Sequence, residues 1–522
     1  MLLVPASADP LFRRRMTLSS TVWMAVIGVV VVGHFARAPL WPTDLWDHVN
    51  YGRYIWQTGT IPSTEPLLPA AAGTRFVATA WLSQVLMAGV ADAAWLGLAG
   101  LQFCYAMLVA VALASVVANV FSSRRRYLAA GLAGAAFLAV NWEQLKIIRP
   151  QLIGVSCFCW LWLQLSARRL TRPQFSSLVL LFVVWANCHG SFAVGLTLIA
   201  LDVGGRSLDV WWRSGRPAAV LRSDALRSRW LLLTACTLAG CLNPFGPEIY
   251  REVLRVGRHP NIASMYEWAP LTLAMRQGRA TAVVVAVWCV LLWLTPARRR
   301  WRELLPVLFF GMLSLWSSRM LNWLAPVVAV SLGRHLAAVQ TRRWRRIPGA
   351  AVLRVLNQPS AFWSGANAVL LLALFSQTSL AGRCLGRADV SPAAALARIT
   401  PVAVTQFLSE AVLPDGSALI PAEWAGFVMY NLDGRVQSFI NLHVHVIPEA
   451  VWQEYLLLLR GPEDLAERLR HRSIHLVVVD VRRHGRLRQR MMKTAGFRII
   501  YEDSQATVFC RQSAAAVDPP SG

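Results

Sequence analysis

Charge is scarce in this 522-residue sequence, and acidic charge above all. Only 15% of its residues are charged, and Lys and Arg outnumber Asp and Glu by 52 to 27, for a formal net charge of +25. So little charge cannot solvate a globule of this size when 56% of the chain is hydrophobic and the mean hydropathy is +0.44. The excess apolar surface has to face lipid. Zinc-type cysteine pairs are missing too. None of the nine cysteines forms a CxxC, and Cys104, Cys157, Cys159, Cys188, Cys236, Cys241 and Cys289 lie in or beside apolar runs as small hydrophobes. Cys384 and Cys510 stand in the polar C-terminal part, where a disulfide is open to them if that part lies outside the cytoplasm. That part also lacks a Gly-rich phosphate loop, a GxSxG and an HExxH, so nothing there calls for an independent active site.

A strongly basic chain admits either a polyanion or a membrane surface as partner, and the placement of the arginines decides between them. Arg13 to Arg15, Arg124 to Arg126, Arg168 with Arg169, Arg298 to Arg300 with Arg302, and Arg342, Arg343, Arg345 and Arg346 each abut a hydrophobic stretch. Cytoplasmic loops have this form under the positive-inside rule, and nucleic acid is not expected as a partner. Many of the 23 tryptophans sit beside apolar runs, where an amphipathic ring suits the headgroup layer.

The expected fold is a polytopic α-helical membrane protein of about eleven spans with a small C-terminal α/β domain outside the membrane. Residues 1–17 form a cytoplasmic N-terminus. The apolar run 18–35 precedes Ala36-Arg37-Ala38, which imitates a signal-peptidase site, but it is too long for a signal-peptide core and reads as a retained span. Residues 37–98 form an external loop, of which 81–98 is a helix at the membrane surface. Further spans fall near 99–121, 127–142, 151–167, 174–187, 189–204, 229–243, 280–296, 304–319, 322–339 and 361–382, closing a membrane domain over 18–382. The 174–204 stretch admits one span or two.

An odd number of spans leaves 385–512 on the outside, in the periplasm or extracellular space of a plasma (inner) membrane protein. Strands are expected at 418–420, 427–430, 436–440, 475–481, 497–501 and 507–510, and helices near 449–459, 462–472 and 487–495. His443 and His445 alternate on a strand-like run and would share one face. Residues 513–522 read as a disordered tail.

Ionisable and amide groups are costly at membrane depth, so those in or beside the spans carry the functional information. Asp44, Asp47, His48 and Glu65 stand in the first external loop, with Arg149, Gln151, Asn187, His189, Asn243, Glu267 and Arg319 at the ends of later spans. The topology puts all of them on the external face, where carboxylates, imidazoles and guanidiniums around one cavity could hold an anionic head group and activate a hydroxyl. Structural alternatives stand beside this. Asp44 fits the N-cap of a helix over 45–57, Asp47 and His48 could line a wet loop, Arg149 and Arg319 could be snorkelling anchors, and Asn187 with His189 could satisfy a helix break. Asn243-Pro244 is a turn and helix stop, and Glu267 an ordinary loop carboxylate.

The loop from Thr43-Asp44-Leu45-Trp46-Asp47-His48 through Thr58-Gly59-Thr60-Ile61-Pro62 to Glu65-Pro66 resembles the opening external loop of GT-C superfamily glycosyltransferases, nearest their protein-mannosyltransferase-like and lipid-sugar-transferase branch. Arg149-Pro150-Gln151, the stretch Trp185-Ala186-Asn187-Cys188-His189-Gly190-Ser191, Asn243-Pro244-Phe245-Gly246, Glu267-Trp268-Ala269-Pro270 and Arg319 resemble signatures of bacterial members. The resemblance implies a polyprenyl-phosphate-linked sugar donor, an envelope lipid, glycan or protein as acceptor, and an acidic catalytic residue in the first loop, which Asp44 matches. It implies in some branches a divalent metal, Mg or Mn. Here Asp44 and Asp47 stand three apart where those branches have an adjacent Asp-Glu pair. The reaction expected is inverting sugar transfer at the external face, with Asp44, Asp47 and His48 catalytic and Glu65, Arg149, Gln151, Asn187, His189, Asn243, Glu267 and Arg319 binding substrate. The rivals are a transporter or lipid flippase, whose pathways also carry intramembrane polar residues, and a non-catalytic envelope scaffold.

Overall fold

The structure is a computed structural model that describes residues 17–124, 127–343, 360–386 and 395–512. The arginines at 13–15, 125–126 and 345–346, almost all of the expected cytoplasmic N-terminus and the expected tail at 513–522 lie outside the described residues.

Every apolar run expected to span carries a helix: α1 (Leu18–Gly33), then, after α2 (Asp44–Thr58) and α3 (Trp81–Asp92), α4 (Gly97–Arg124), α5 (Tyr127–Leu145), α6 (Gln151–Leu165), α7 (Arg172–Cys188) and α8 (Phe192–Ser214). A short α9 (Ala218–Leu221) leads to α10 (Asp224–Ala239), and α11 (Glu248–Gly257) to α12 (Arg276–Leu294), α13 (Trp301–Trp316), α14 (Leu321–Arg343), α15 (Ala361–Ser376) and α16 (Ser379–Cys384). Among the described residues, three segments are by length and composition apolar and long enough to cross a membrane, Leu18–Arg37, Gly97–Phe121 and Arg276–Leu294. These apolar helices place the chain in a membrane. The stretch that admitted one span or two is broken at His189–Ser191 into α7 and α8. α7 opens on a capping box between Thr171 and Gln174, and α8 closes on Gly215 in the left-handed conformation.

The C-terminal part is α/β. Helices α17 (Val402–Glu410), α18 (Ala422–Leu432), α19 (Glu449–Leu459), α20 (Leu465–His471) and α21 (Gly485–Met491) pack around strands β1 (Ser417–Leu419), β2 (Gln437–Ser438), β3 (Ile474–Asp480), β4 (Phe497–Glu502) and β5 (Ala506–Arg511). The strands form one sheet in the order β2-β1-β3-β5-β4. β1 runs parallel to β2 and β3, and β5 antiparallel to β3 and β4.

Several expectations are corrected. Residues 427–430 are helical, inside α18, because Trp424, Ala425, Phe427, Val428 and Leu432 are buried at helical spacing; a short apolar run fits either period. The strand expected at 436–440 shrinks to two residues. His443 and His445 sit in a turn, not a strand. Thr43, not Asp44, is the N-cap of α2: Thr43 is extended and its side chain accepts the Leu45 N–H, while Asp44 is already the first helical residue. Cys384 is exposed, Cys510 buried, and both are free thiols.

One hydrophobic cluster binds the first loop to the C-terminal part. Tyr51, Leu68, Phe76 and Ile262 share it with Leu419, Phe439, Trp452 and Tyr455. The cap therefore cannot swing away without exposing apolar surface. Helix α2 is held on both sides. On one, Gly52 lets it press against the backbone of Gln84 in α3, where any Cβ would collide with that carbonyl. On the other, Trp46 packs edge-on to Phe427 of α18 at 5.0 Å, Arg53 lies over the Tyr430 ring at 3.8 Å, and Asn50 donates to the Gly426 carbonyl at 2.9 Å.

Candidate active site

A cavity of about 770 Å³ opens between the ends of the bundle helices and the cap. Asp44, His48, Arg149, Gln151, His189, Glu267 and Arg319 all line it. Seven residues named from the sequence thus meet at one cavity, although they come from five separate stretches of chain.

The capping by Thr43 leaves the Asp44 side chain with no helix-terminal duty. Its Oδ1 lies 3.5 Å from Arg149 Nε and accepts no hydrogen bond. Arg149 is committed elsewhere: Nη1 and Nη2 donate to the two Glu267 oxygens at 2.6 and 2.7 Å, a bidentate pair. Arg319 is less committed, donating from Nε to Gln151 Oε1 at 3.1 Å, pairing with Glu267 at a longer 3.6 Å, and lying 5.1 Å over the Trp268 ring. Burial pushes the Asp44 carboxyl above its usual range; Arg149 opposes this and the Glu267 charge adds to it. Burial also works against ionisation of Glu267, but Arg149, backed by Arg319, outweighs it and brings that carboxyl down to about 2. The outcome is one locked carboxylate, Glu267, and one poised carboxylate, Asp44.

His48 shares a hydrogen bond with Gln84 through Nδ1 at 3.1 Å. Burial, with His189 and Arg149 nearby, holds it well below the usual imidazole range, so it is neutral at pH 7. His189 meets the Ser191 hydroxyl and amide at 2.8 and 3.0 Å. The cap contributes His443, whose ring lies 4.6 Å from those of both His48 and Tyr51, together with His445, Glu423 and Tyr455. Val253, Val256, Met265, Trp268, Trp316 and Trp323 add apolar lining to the same cavity.

The other four expected site residues lie off the cavity. Asp47 is buried under the cap, its Oδ2 accepting the Leu442 N–H at 3.0 Å and its Oδ1 pressed against Gly426, where no Cβ would fit. Glu65 accepts from Tyr51 Oη at 2.8 Å and from the amides of Leu67 and Leu68 at 2.9 and 3.2 Å. Asn187 accepts from Trp81 Nε1 and donates to the Val183 and Leu242 carbonyls. Asn243 closes its own turn, bonding Gly240, Phe245 and Gly246. Glu423 and Tyr455 had no local signal, and His443 and His445 stood out only as a strand-like pair, because long-range packing is what brings all four to the cavity.

Among the described residues no three or more His, Cys, Asp and Glu side chains are grouped to hold a metal ion. Of the three carboxylates that line the cavity, Asp44 and Glu267 face Arg149 and Glu423 pairs with Arg483, so the donor set does not fit a divalent cation.

The chain shares the fold of its structural neighbours, which are GT-C glycosyltransferases. The particular likeness is to solved structures. The oligosaccharyltransferase AglB from Archaeoglobus fulgidus, in complex with an inhibitory peptide and a dolichol-phosphate, superposes with a TM-score of 0.59 at 12% identity, over 95% of this chain and 74% of that one. ArnT from Cupriavidus metallidurans superposes with a TM-score of 0.53 at 14% identity in its apo state, over 94% and 97% of the two chains. Bound to undecaprenyl phosphate it gives 0.51 at 12%, over 95% and 98%. No protein-family model matches the sequence, and no curated protein matches it.

Proposed function

We propose that this chain is an inverting glycosyltransferase that moves a sugar from a polyprenyl-phosphate-linked donor to an envelope acceptor at the external membrane face. The observation that carries the reading is the Asp44 carboxylate, relieved of capping by Thr43, its Oδ1 3.5 Å from Arg149 Nε and accepting no hydrogen bond, at a cavity lined by Arg149, Arg319 and many apolar side chains.

The roles follow from the commitments of each group. Asp44 takes the proton of the acceptor hydroxyl as its oxygen forms a bond to the anomeric carbon. The bond from that carbon to the phosphate oxygen breaks, and polyprenyl phosphate leaves with the electron pair. Arg319 has uncommitted N–H groups and receives the phosphate charge. Arg149 is saturated by Glu267 and acts on Asp44, fixing its position and opposing the rise that burial imposes on its pKa. The lipid carrier lies along the tryptophan-rich lining. Neutral His48 orients the acceptor, and the cap keeps water out. The two bound lipid phosphates of the structural neighbours, dolichol-phosphate and undecaprenyl phosphate, support a carrier of that class.

The test uses full-length protein in nanodiscs and a panel of undecaprenyl-phosphate sugars, with release of undecaprenyl phosphate as the readout. Asp44→Asn is expected to lower the rate by at least about 10²-fold, the scale of a general base. Undiminished release by Asp44→Asn would refute the assignment.

A further inference from the structure

A second groove of about 400 Å³ meets the cavity at Pro42, Thr43 and Glu423, one residue from the proposed base. It runs between the first loop, the end of α5 and the cap, and two indoles border it, Trp41 from the loop and Trp424 from α18. Resting on the glycosyl-transfer reading, we propose that this groove is the acceptor site and that it takes a neutral, hydroxyl-rich saccharide.

Three observations select that chemistry. The first is charge. Glu143, Glu423 and Asp480 face Lys146, Arg482 and Arg483, three of each sign. Most are already satisfied: Lys146 pairs with Glu143 at 3.1 Å, Arg483 with Glu423 at 2.9 Å, and Asp480 Oδ1 accepts the Arg482 and Arg483 amides at 2.9 and 3.2 Å. A site balanced in this way has no surplus charge for an ionic headgroup. Its paired groups still offer donors and acceptors side by side, which is what vicinal hydroxyls require. The second is shape. Trp41 keeps 36% of its surface open, and a flat indole suits the C–H face of a sugar ring. The third is what the sheet presents. Asp480 ends β3 and Gln505 precedes β5, both inner strands, while the edges are β2 and β4. A peptide acceptor would find no open strand edge here to pair with.

Saturation-transfer NMR on the full chain in nanodiscs, without donor, tests this with neutral linear di- to tetrasaccharides against tetrapeptides. At least one saccharide is expected to give a signal that falls fivefold or more in Trp41→Ala and in Arg482→Ala. Trp56→Ala, an exposed indole outside the groove, is expected to leave it unchanged. Arg482 is a surface side chain, so its variant decides the matter if Trp41→Ala does not fold. No saccharide signal in the wild type, a signal equal in both variants, or tetrapeptide binding lost in their place would overturn the proposal. Release of undecaprenyl phosphate by the wild type reports the transfer reading separately. Release without saccharide binding sinks the groove alone, and saccharide binding without release sinks the transfer reading alone.

Discussion

Removing the cation beside Asp44 without removing Asp44 gives the most direct measure of the proposed base. In Arg149→Met the carboxylate loses a guanidinium whose Nε lies 3.5 Å away. At an effective dielectric constant of about 20 that contact is worth about 5 kcal/mol of Coulomb energy. Less of it is felt at Asp44. The carboxylate is one-fifth exposed, and the same guanidinium is shared with Glu267 at 2.6 Å. Taking a third to a half of the total, and about 1.4 kcal/mol per pKa unit, Asp44 should rise by one to two units. The sign is fixed: a base must be ionised to act, so a higher pKa moves the acidic limb of the pH–kcat/KM profile towards alkaline pH. The assay is release of undecaprenyl phosphate between pH 4 and 9. Arg149→Lys keeps the charge but loses the planar fork, and should hold the limb within half a unit while lowering the plateau rate. A limb that stays in place in Arg149→Met would refute the claim that Arg149 tunes Asp44.

Two further outcomes concern the seat of the cap on α2. Burial holds the Asp47 carboxyl well above its usual range, against one hydrogen bond from Leu442 and with the Asp44 and Glu65 charges adding to the rise. A folded pKa above the unfolded one contributes stability that is full below about pH 4 and is lost as pH rises through the folded value. Asp47→Asn should therefore melt above the wild type at pH 8, by roughly 1–3 kcal/mol, and lose that advantage at pH 4; a constant difference across pH would contradict it. Gly426→Ala drives a Cβ onto Asp47, whose backbone nitrogen stands at 2.9 Å. It should cost about 1–3 kcal/mol, and limited proteolysis should then cut faster between the bundle and the cap.

Local signals made the helices and the first loop legible. Apolar runs bounded by arginines gave every long helix, and the polar stretch 45–57, with Asp44 read as its cap, gave α2 to within one residue at each end. The site was legible as a set of residues but not as a set of contacts. Asp44, Arg149, Glu267 and Arg319 each stood out as a costly polar group at a helix end, yet nothing local says that Glu267 takes both forks of Arg149 and leaves Asp44 free. The same rule also selected Glu65, Asn187 and Asn243, because a polar group that closes a turn or braces a helix end looks identical in sequence to one that faces a ligand. Helix α18 was hidden by its length. An apolar run of four residues at 427–430 satisfies strand and helix periods alike, and its helical reading depends on packing against Trp46.

The far end of the bundle bears on the transport reading. Asp202 of α8, roughly 15 Å along the helix from its start at the cavity, is fully buried and accepts from Arg206 and Arg229 at 2.8 and 2.7 Å, with Arg302 of α13 at 3.7 Å. Arg206 and Arg229 also donate to carbonyls at the end of α6, and Arg334 of α14 reaches Glu303 of α13 at 3.0 Å. Alternating access rocks one group of helices against another, so each cycle would break those of these buried pairs that join helices which move apart, at about 3–5 kcal/mol for every charge left without its partner. A glycosyltransferase that works from one face has no need to open this end. Asp202→Ala strands three guanidiniums and should lower the unfolding free energy by about 3–5 kcal/mol, seen as a lower melting temperature in detergent. A cysteine pair linking α8 to α13 at this end should leave undecaprenyl phosphate release intact. Loss of turnover on closing that link, restored by reduction, would show that the far end moves in each cycle and would favour the transporter.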